Sequence, residues 1–177
     1  CNEEVVRVLV EQAPHLDIGN HHFPSGVRAE LAAALSDTTH GQLEKVVFSA
    51  SGSEAVDVAI KSARRATKRR KVVGVLGGYH GRTGLSGAAG DSSSAAFFSS
   101  DLPDEFLAVP FNDLDALEEA LSGDDTAAVI LETIPATLGF PLPAPDYLEG
   151  VATLCREHGA LYIADEVQTG LGRTGHT

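Results

Sequence analysis

Apolar positions along the chain fall at two periods. Helical spacing groups Val5, Val6, Leu9 and Val10 between Cys1 and Ala13, Val27, Leu31 and Leu35 after Ser25, and Val56, Ala59, Ile60 and Ala63 after Ser51. Ser51 followed by Glu54 is a capping-box pattern that starts the third of these helices. Two further helices are predicted over Asp113 to Leu121 and Tyr147 to His158, the latter closed by Gly159. Between them lie short unbroken apolar runs that read as buried strands: Val46 to Phe48, Val72 to Leu76, Leu107 to Val109, Ala127 to Leu131, and the run from Ala160 up to Asp165. Five strands alternating with helices predict an α/β fold, a mostly parallel sheet with flanking helices. Three of the strands lead into Tyr79, Glu132 and Asp165 at corresponding edges, and in open α/β sheets the carboxyl ends of strands are where ligands sit.

Composition narrows the classes. At 177 residues with 43% hydrophobic and 21% charged positions, the chain reads as one domain with a core of its own. A formal charge of −12 argues against nucleic acid as a partner. No apolar run is long enough to span a bilayer, and the N-terminus lacks the plan of a signal peptide. Two cysteines, Cys1 and Cys155, cannot make a disulfide framework and fit a reducing compartment, so the expected location is the cytoplasm. The adjacent His21 and His22 are poorly spaced for a metal, and none is expected. The cluster Arg64, Arg65, Lys68, Arg69, Arg70 and Lys71 reads as a solvated helix end that suits the macrodipole. The Gly/Ala/Ser-rich stretch from Gly84 to Ser100 is expected to be irregular. A helical start at residue 1 and a glycine-rich stop at the other end suggest part of a longer protein.

Candidate chemistry sits where strands give way to glycines. Ser51-Gly52-Ser53 at a helix N-terminus offers N–H groups and hydroxyls to a phosphate, or is a plain strand-to-helix turn. In Gly77-Gly78-Tyr79-His80-Gly81-Arg82-Thr83, the aromatic can face a planar ligand and Arg82 can clamp a carboxylate; the alternative is a turn with Tyr79 packed on the core. Asp165 is either a fixed charge serving a cofactor or the cap of the next turn.

Taken together, Ser51-Gly52-Ser53-Glu54-Ala55, Tyr79-His80-Gly81-Arg82-Thr83, Glu132 after its apolar strand, and Asp165-Glu166-Val167-Gln168-Thr169-Gly170 through Gly175 resemble the signature series of class III aminotransferases of the ornithine, acetylornithine and 4-aminobutyrate type. The resemblance implies the fold type I large domain of a pyridoxal phosphate-dependent transferase, with residues 1–177 as a partial cofactor-binding domain. It implies that Gly52 and Ser53 hold the cofactor phosphate, that Tyr79 stacks on the pyridine ring with His80 beside it, and that Asp165 pairs with the ring nitrogen. Val167 would pack on the opposite face, Gln168 would approach the ring hydroxyl, and Arg82 and Glu132 would meet substrate. A small-molecule amino donor and an oxo acceptor, and a homodimer completed along Gly84 to Phe98, are further implications.

Two features depart from the family pattern. Glu132-Thr133-Ile134-Pro135-Ala136-Thr137 replaces a Glu-Pro-Ile-Gln-Gly type sequence, and none of Lys45, Lys61, Lys68 and Lys71 lies at a strand's carboxyl rim, where the Schiff-base lysine belongs. The implied Schiff-base region, the small C-terminal domain and part of the N-terminal segment are therefore expected outside this sequence. A non-catalytic module built on the same cradle, and an aminomutase or decarboxylating relative, are the alternative expectations.

Overall fold

The computed structural model describes residues 1–15, 23–90 and 104–175, in two compact units, residues 1–47 and 48–177. In the first, α1 (Glu3–Gln12) is capped by the Asn2 side chain, which accepts from the Glu4 and Val5 amides, and α2 (Gly26–Thr38) follows. His21 and His22 lie outside the described residues. Val46 to Phe48 does not form the expected strand: among the described residues no strand pairs with it, and Val47 is 70% exposed. An apolar run without a neighbouring strand edge gains no ladder, so its β-propensity has nothing to act on.

The second unit holds a four-stranded parallel sheet in the order β2-β1-β3-β4, formed by β1 (Lys71–Val75), β2 (Phe106–Val109), β3 (Thr126–Glu132) and β4 (Leu161–Asp165). The helices are α3 (Gly52–Thr67), α4 (Gly84–Ala89), α5 (Leu114–Leu121) and α6 (Tyr147–Glu157). Strand periodicity decides which side chains go where. Val73, Val75, Val129 and Leu131 face a core made with Leu117, Leu121, Val151 and Cys155 of α5 and α6. Their neighbours Val72 and Ile130 face the other way, against Val56 and Ile60 of α3 and Ala89 of α4. With both faces covered, β3 is buried over its whole length, which is why it reads as an unbroken apolar run. Burial alone pushes the Cys155 thiol up to about 12.

Part of the expected irregular stretch is regular: Gly84 to Ala89 is a helical turn and a half with Ser86 to Ala89 buried, and residues 91–103 lie outside the described residues. The basic cluster also differs from a solvated helix end. Glu105, buried at the start of β2, lies 3.1 Å from Arg64 Nη2 and accepts a 2.7 Å hydrogen bond from Arg70. Arg69 donates to the carbonyls of His158 and Thr126, and Lys71 pairs with Asp125 at 2.9 Å. These charges therefore tie α3 to the amino ends of the strands, away from the rim that carries Tyr79, Glu132 and Asp165.

Candidate functional site

At the carboxyl rim the ends of β1, β3 and β4 meet the start of α3 around a cavity of about 240 Å³. Its lining brings together Gly52, Ser53, Tyr79, His80, Glu132, Asp165, Val167 and Gln168, eight of the nine residues singled out in the sequence, and adds Ser51, Gly81, Ile134 and Thr169. Arg82 is the exception: it lies outside the lining, exposed, with its guanidinium 5.8 Å from the centre of the Tyr79 ring, where the ring face attracts a cation.

The floor is polar and buried. Nδ1 of His80 and Oδ2 of Asp165 are 2.7 Å apart, with the two side chains 0% and 4% exposed. The other oxygen of Asp165 accepts from the Val167 amide at 3.1 Å, the bond expected of a residue that caps the next turn. On the far side of that ring, Nε2 is buried with no hydrogen-bond partner, and so is the Thr169 hydroxyl.

One wall is the first turn of α3. The Ser51 side chain accepts from the Glu54 amide at 3.2 Å, while Glu54 reaches back to the Ala50 amide at 2.6 Å rather than to that of Ser51 itself. The Gly52 and Ser53 amides have no carbonyl one turn earlier, and they are the donors a helix start presents to an anion. Val167 lies against Gly52: a Cβ added there would meet Val167 Cγ1 at 2.9 Å. Gly81 is required twice over, by a φ of 125° and because a Cβ would lie 2.7 Å from Ser53 Cβ.

Glu132, expected to meet substrate, lines the cavity and is also tied to neighbouring amides. It is 7% exposed, and its oxygens accept from the Tyr79 amide at 2.9 Å and the Ala136 amide at 3.4 Å. Thr137 adds a 2.6 Å bond to the Gly77 carbonyl. In this arrangement Glu132 holds the Tyr79 loop against the end of β3, and its neighbour Ile134 lends the cavity an apolar wall. Thr169 and Gly81 belong to motifs already visible in the sequence, whereas nothing in the local pattern points to Ile134.

The donors suit a phosphorylated, planar, nitrogen-containing group: a helix start for the phosphate, an aromatic at the wall, and a buried carboxylate at the floor. Among the described residues no group of three or more histidines, cysteines and carboxylates stands ready for a metal.

The chain is 52% identical over 172 residues to an uncharacterized aminotransferase of Archaeoglobus fulgidus, covering 97% of this chain and 40% of that protein. It is 40% identical to the acetylornithine aminotransferase of Methanopyrus kandleri, covering 99% of this chain and 45% of that one. Its fold superimposes on the taurine:2-oxoglutarate aminotransferase of Bifidobacterium kashiwanohense, solved with PLP and glutamate, with a TM-score of 0.89 and 30% identity over 98% of this chain and 44% of that chain. The chain thus spans less than half the length of the curated relatives it matches. Since the aminotransferase class-III profile matches residues 1–177 throughout, the chain belongs to the class III aminotransferase family.

Proposed function

We propose that the protein is the cofactor-binding part of a pyridoxal phosphate-dependent aminotransferase that moves an amino group between an amine or amino acid and an oxo-acid or aldehyde. The observation that carries this reading is the buried His80–Asp165 pair on the floor of a cavity whose wall is a serine-rich helix start. Bound pyridoxal phosphate supplies a carbonyl for amine exchange and a ring that takes up the electron pair left on the substrate carbon. The residues present would serve it as follows. The Gly52 and Ser53 amides and the Ser53 hydroxyl bind phosphate, and Tyr79 and Val167 flank the ring. Asp165 keeps a proton on the ring nitrogen, and an Nδ1–H of His80 holds the carboxylate in place. Gln168 is assigned to the ring hydroxyl. Arg82 is assigned to a substrate carboxylate, which requires it to leave the face of Tyr79. Glu132 is read as the anchor of the Tyr79 loop.

No lysine lines the cavity, so the nucleophile is assigned to sequence outside these 177 residues, together with the small domain. A cytoplasmic homodimer is part of the same reading. The segment put forward for the subunit contact, Gly84 to Phe98, is described only as far as residue 90. The test is the full-length protein incubated with pyridoxal phosphate and a panel of amino donors and 2-oxo acids. Cofactor-dependent amino transfer with ping-pong kinetics is expected. Failure to retain cofactor and to transfer nitrogen from any donor would overturn the proposal.

A further inference from the structure

The loop that carries Tyr79 and His80 is anchored at both ends, and its front anchor is Glu132. The back anchor is on α3. Ser53 Oγ accepts from the Arg82 amide at 3.2 Å. One turn further along the same face, Asp57 divides its carboxylate: Oδ2 accepts from the Thr83 hydroxyl at 3.1 Å, and Oδ1 accepts from the Ser86 amide at 2.7 Å. Thr83 and Ser86 are themselves joined, the Ser86 hydroxyl donating to the Thr83 carbonyl at 2.6 Å, and Ser86 is fully buried. Gly84 fits this contact closely, a Cβ there lying 3.3 Å from Asp57 Oδ2.

We infer that Asp57 is a positioning residue: it locks the helix whose first turn forms the phosphate wall to the loop that presents Tyr79 and His80, and so fixes the distance between phosphate and ring subsites. The inference rests on the proposed cofactor. Asp57 is absent from the cavity lining, so it acts only through Thr83 and Ser86, which hold the loop beside Arg82 and Ser53. The Ser53 hydroxyl accepts the Arg82 amide while keeping its own hydrogen to donate, so a shift of the loop relative to α3 would disturb the phosphate wall directly. A carboxylate on α3 receiving two donors from the Thr83–Ser86 segment gives a stronger tie than a neutral group would.

Full-length D57A, D57N and T83V are compared with the parent by equilibrium binding of pyridoxal phosphate and by thermal melting of the cofactor-free protein. D57A is expected to weaken cofactor binding about tenfold, the size of one bond to a charged group, with melting of the cofactor-free protein little changed. D57N keeps an acceptor for the Ser86 amide and a donor towards Thr83 and should recover most of the affinity. T83V, which leaves the Ser86 bond intact, should fall between them and stands in if D57A does not fold. Parental affinity in both D57A and T83V would overturn the inference, as would loss of melting temperature in D57A without loss of affinity. If the parent itself binds no cofactor, the proposed function fails first, which separates the two failures.

Discussion

At the scale of single residues, the site divides between groups that touch the cavity and groups that hold them. Asp165 does both, and its replacement by asparagine is informative because shape is kept while charge is removed. The asparagine oxygen can still accept from the Val167 amide or from His80, so the fold should survive. Under the proposed function the ring nitrogen would then lose its counter-charge, and turnover of the full-length protein should fall by orders of magnitude while cofactor is still bound. Transfer at the parental rate with D165N would remove Asp165 from this role. That Ser53, Tyr79 and Asp165 meet at one cavity is legible in the sequence because a helix start and the ends of two strands converge at the carboxyl rim of a parallel sheet. Glu132 and Arg82 are less legible. Each sits at a rim position, but whether its polar atoms face the cavity or neighbouring amides is decided by the loop geometry, and the structure places the Glu132 carboxylate on the amides of Tyr79 and Ala136.

At the scale of elements, the apolar pattern locates the four sheet strands and the helices α3, α5 and α6, most plainly at β3, where burial on both faces leaves a continuous apolar run, but it misses α4. It fails at Val46 to Phe48, where the local pattern is right for a strand but no partner edge is present among the described residues. It also fails to assign the basic end of α3, since charge patterning does not reveal that a buried glutamate 35 residues beyond Arg70 in sequence will meet it. That cluster offers a test. Arg64 is 15% exposed at its side chain, its charge disfavoured by desolvation and supported by Glu105, and its guanidinium lies 5.3 Å from the centre of the Phe106 ring. E105A would leave this cation without its counter-charge, at a cost of about 3 kcal/mol. Chemical denaturation followed by circular dichroism should show the loss, with E105Q milder because it keeps an acceptor for Arg70. An unchanged midpoint in E105A would mean that solvent, rather than Glu105, satisfies Arg64.

At the scale of the whole molecule, the sheet unit presents a prepared cavity and no nucleophile to go with it. Lys71 is the first residue of β1, so four residues of extended strand, about 13 Å at 3.3 Å per residue, separate it from the strand end that leads to Tyr79. Lys68 caps the far end of α3, and Lys61 is exposed in its middle. Around the rim, Leu76, Phe140, Leu142, Val167 and Leu171 are all more than half exposed, an apolar border that further protein would cover. These facts lead to a contrast between the 177-residue polypeptide and the full-length protein. With pyridoxal phosphate and borohydride, the full-length protein should be labelled at one lysine in near-stoichiometric yield, and peptide mapping should place it outside residues 1–177. The polypeptide alone should show only weak labelling spread over its exposed lysines, because nothing holds an amine against the cavity. Selective, stoichiometric labelling of Lys61, Lys68 or Lys71 in the polypeptide would instead put the nucleophile inside this chain, and the assignment of the missing lysine would have to be withdrawn.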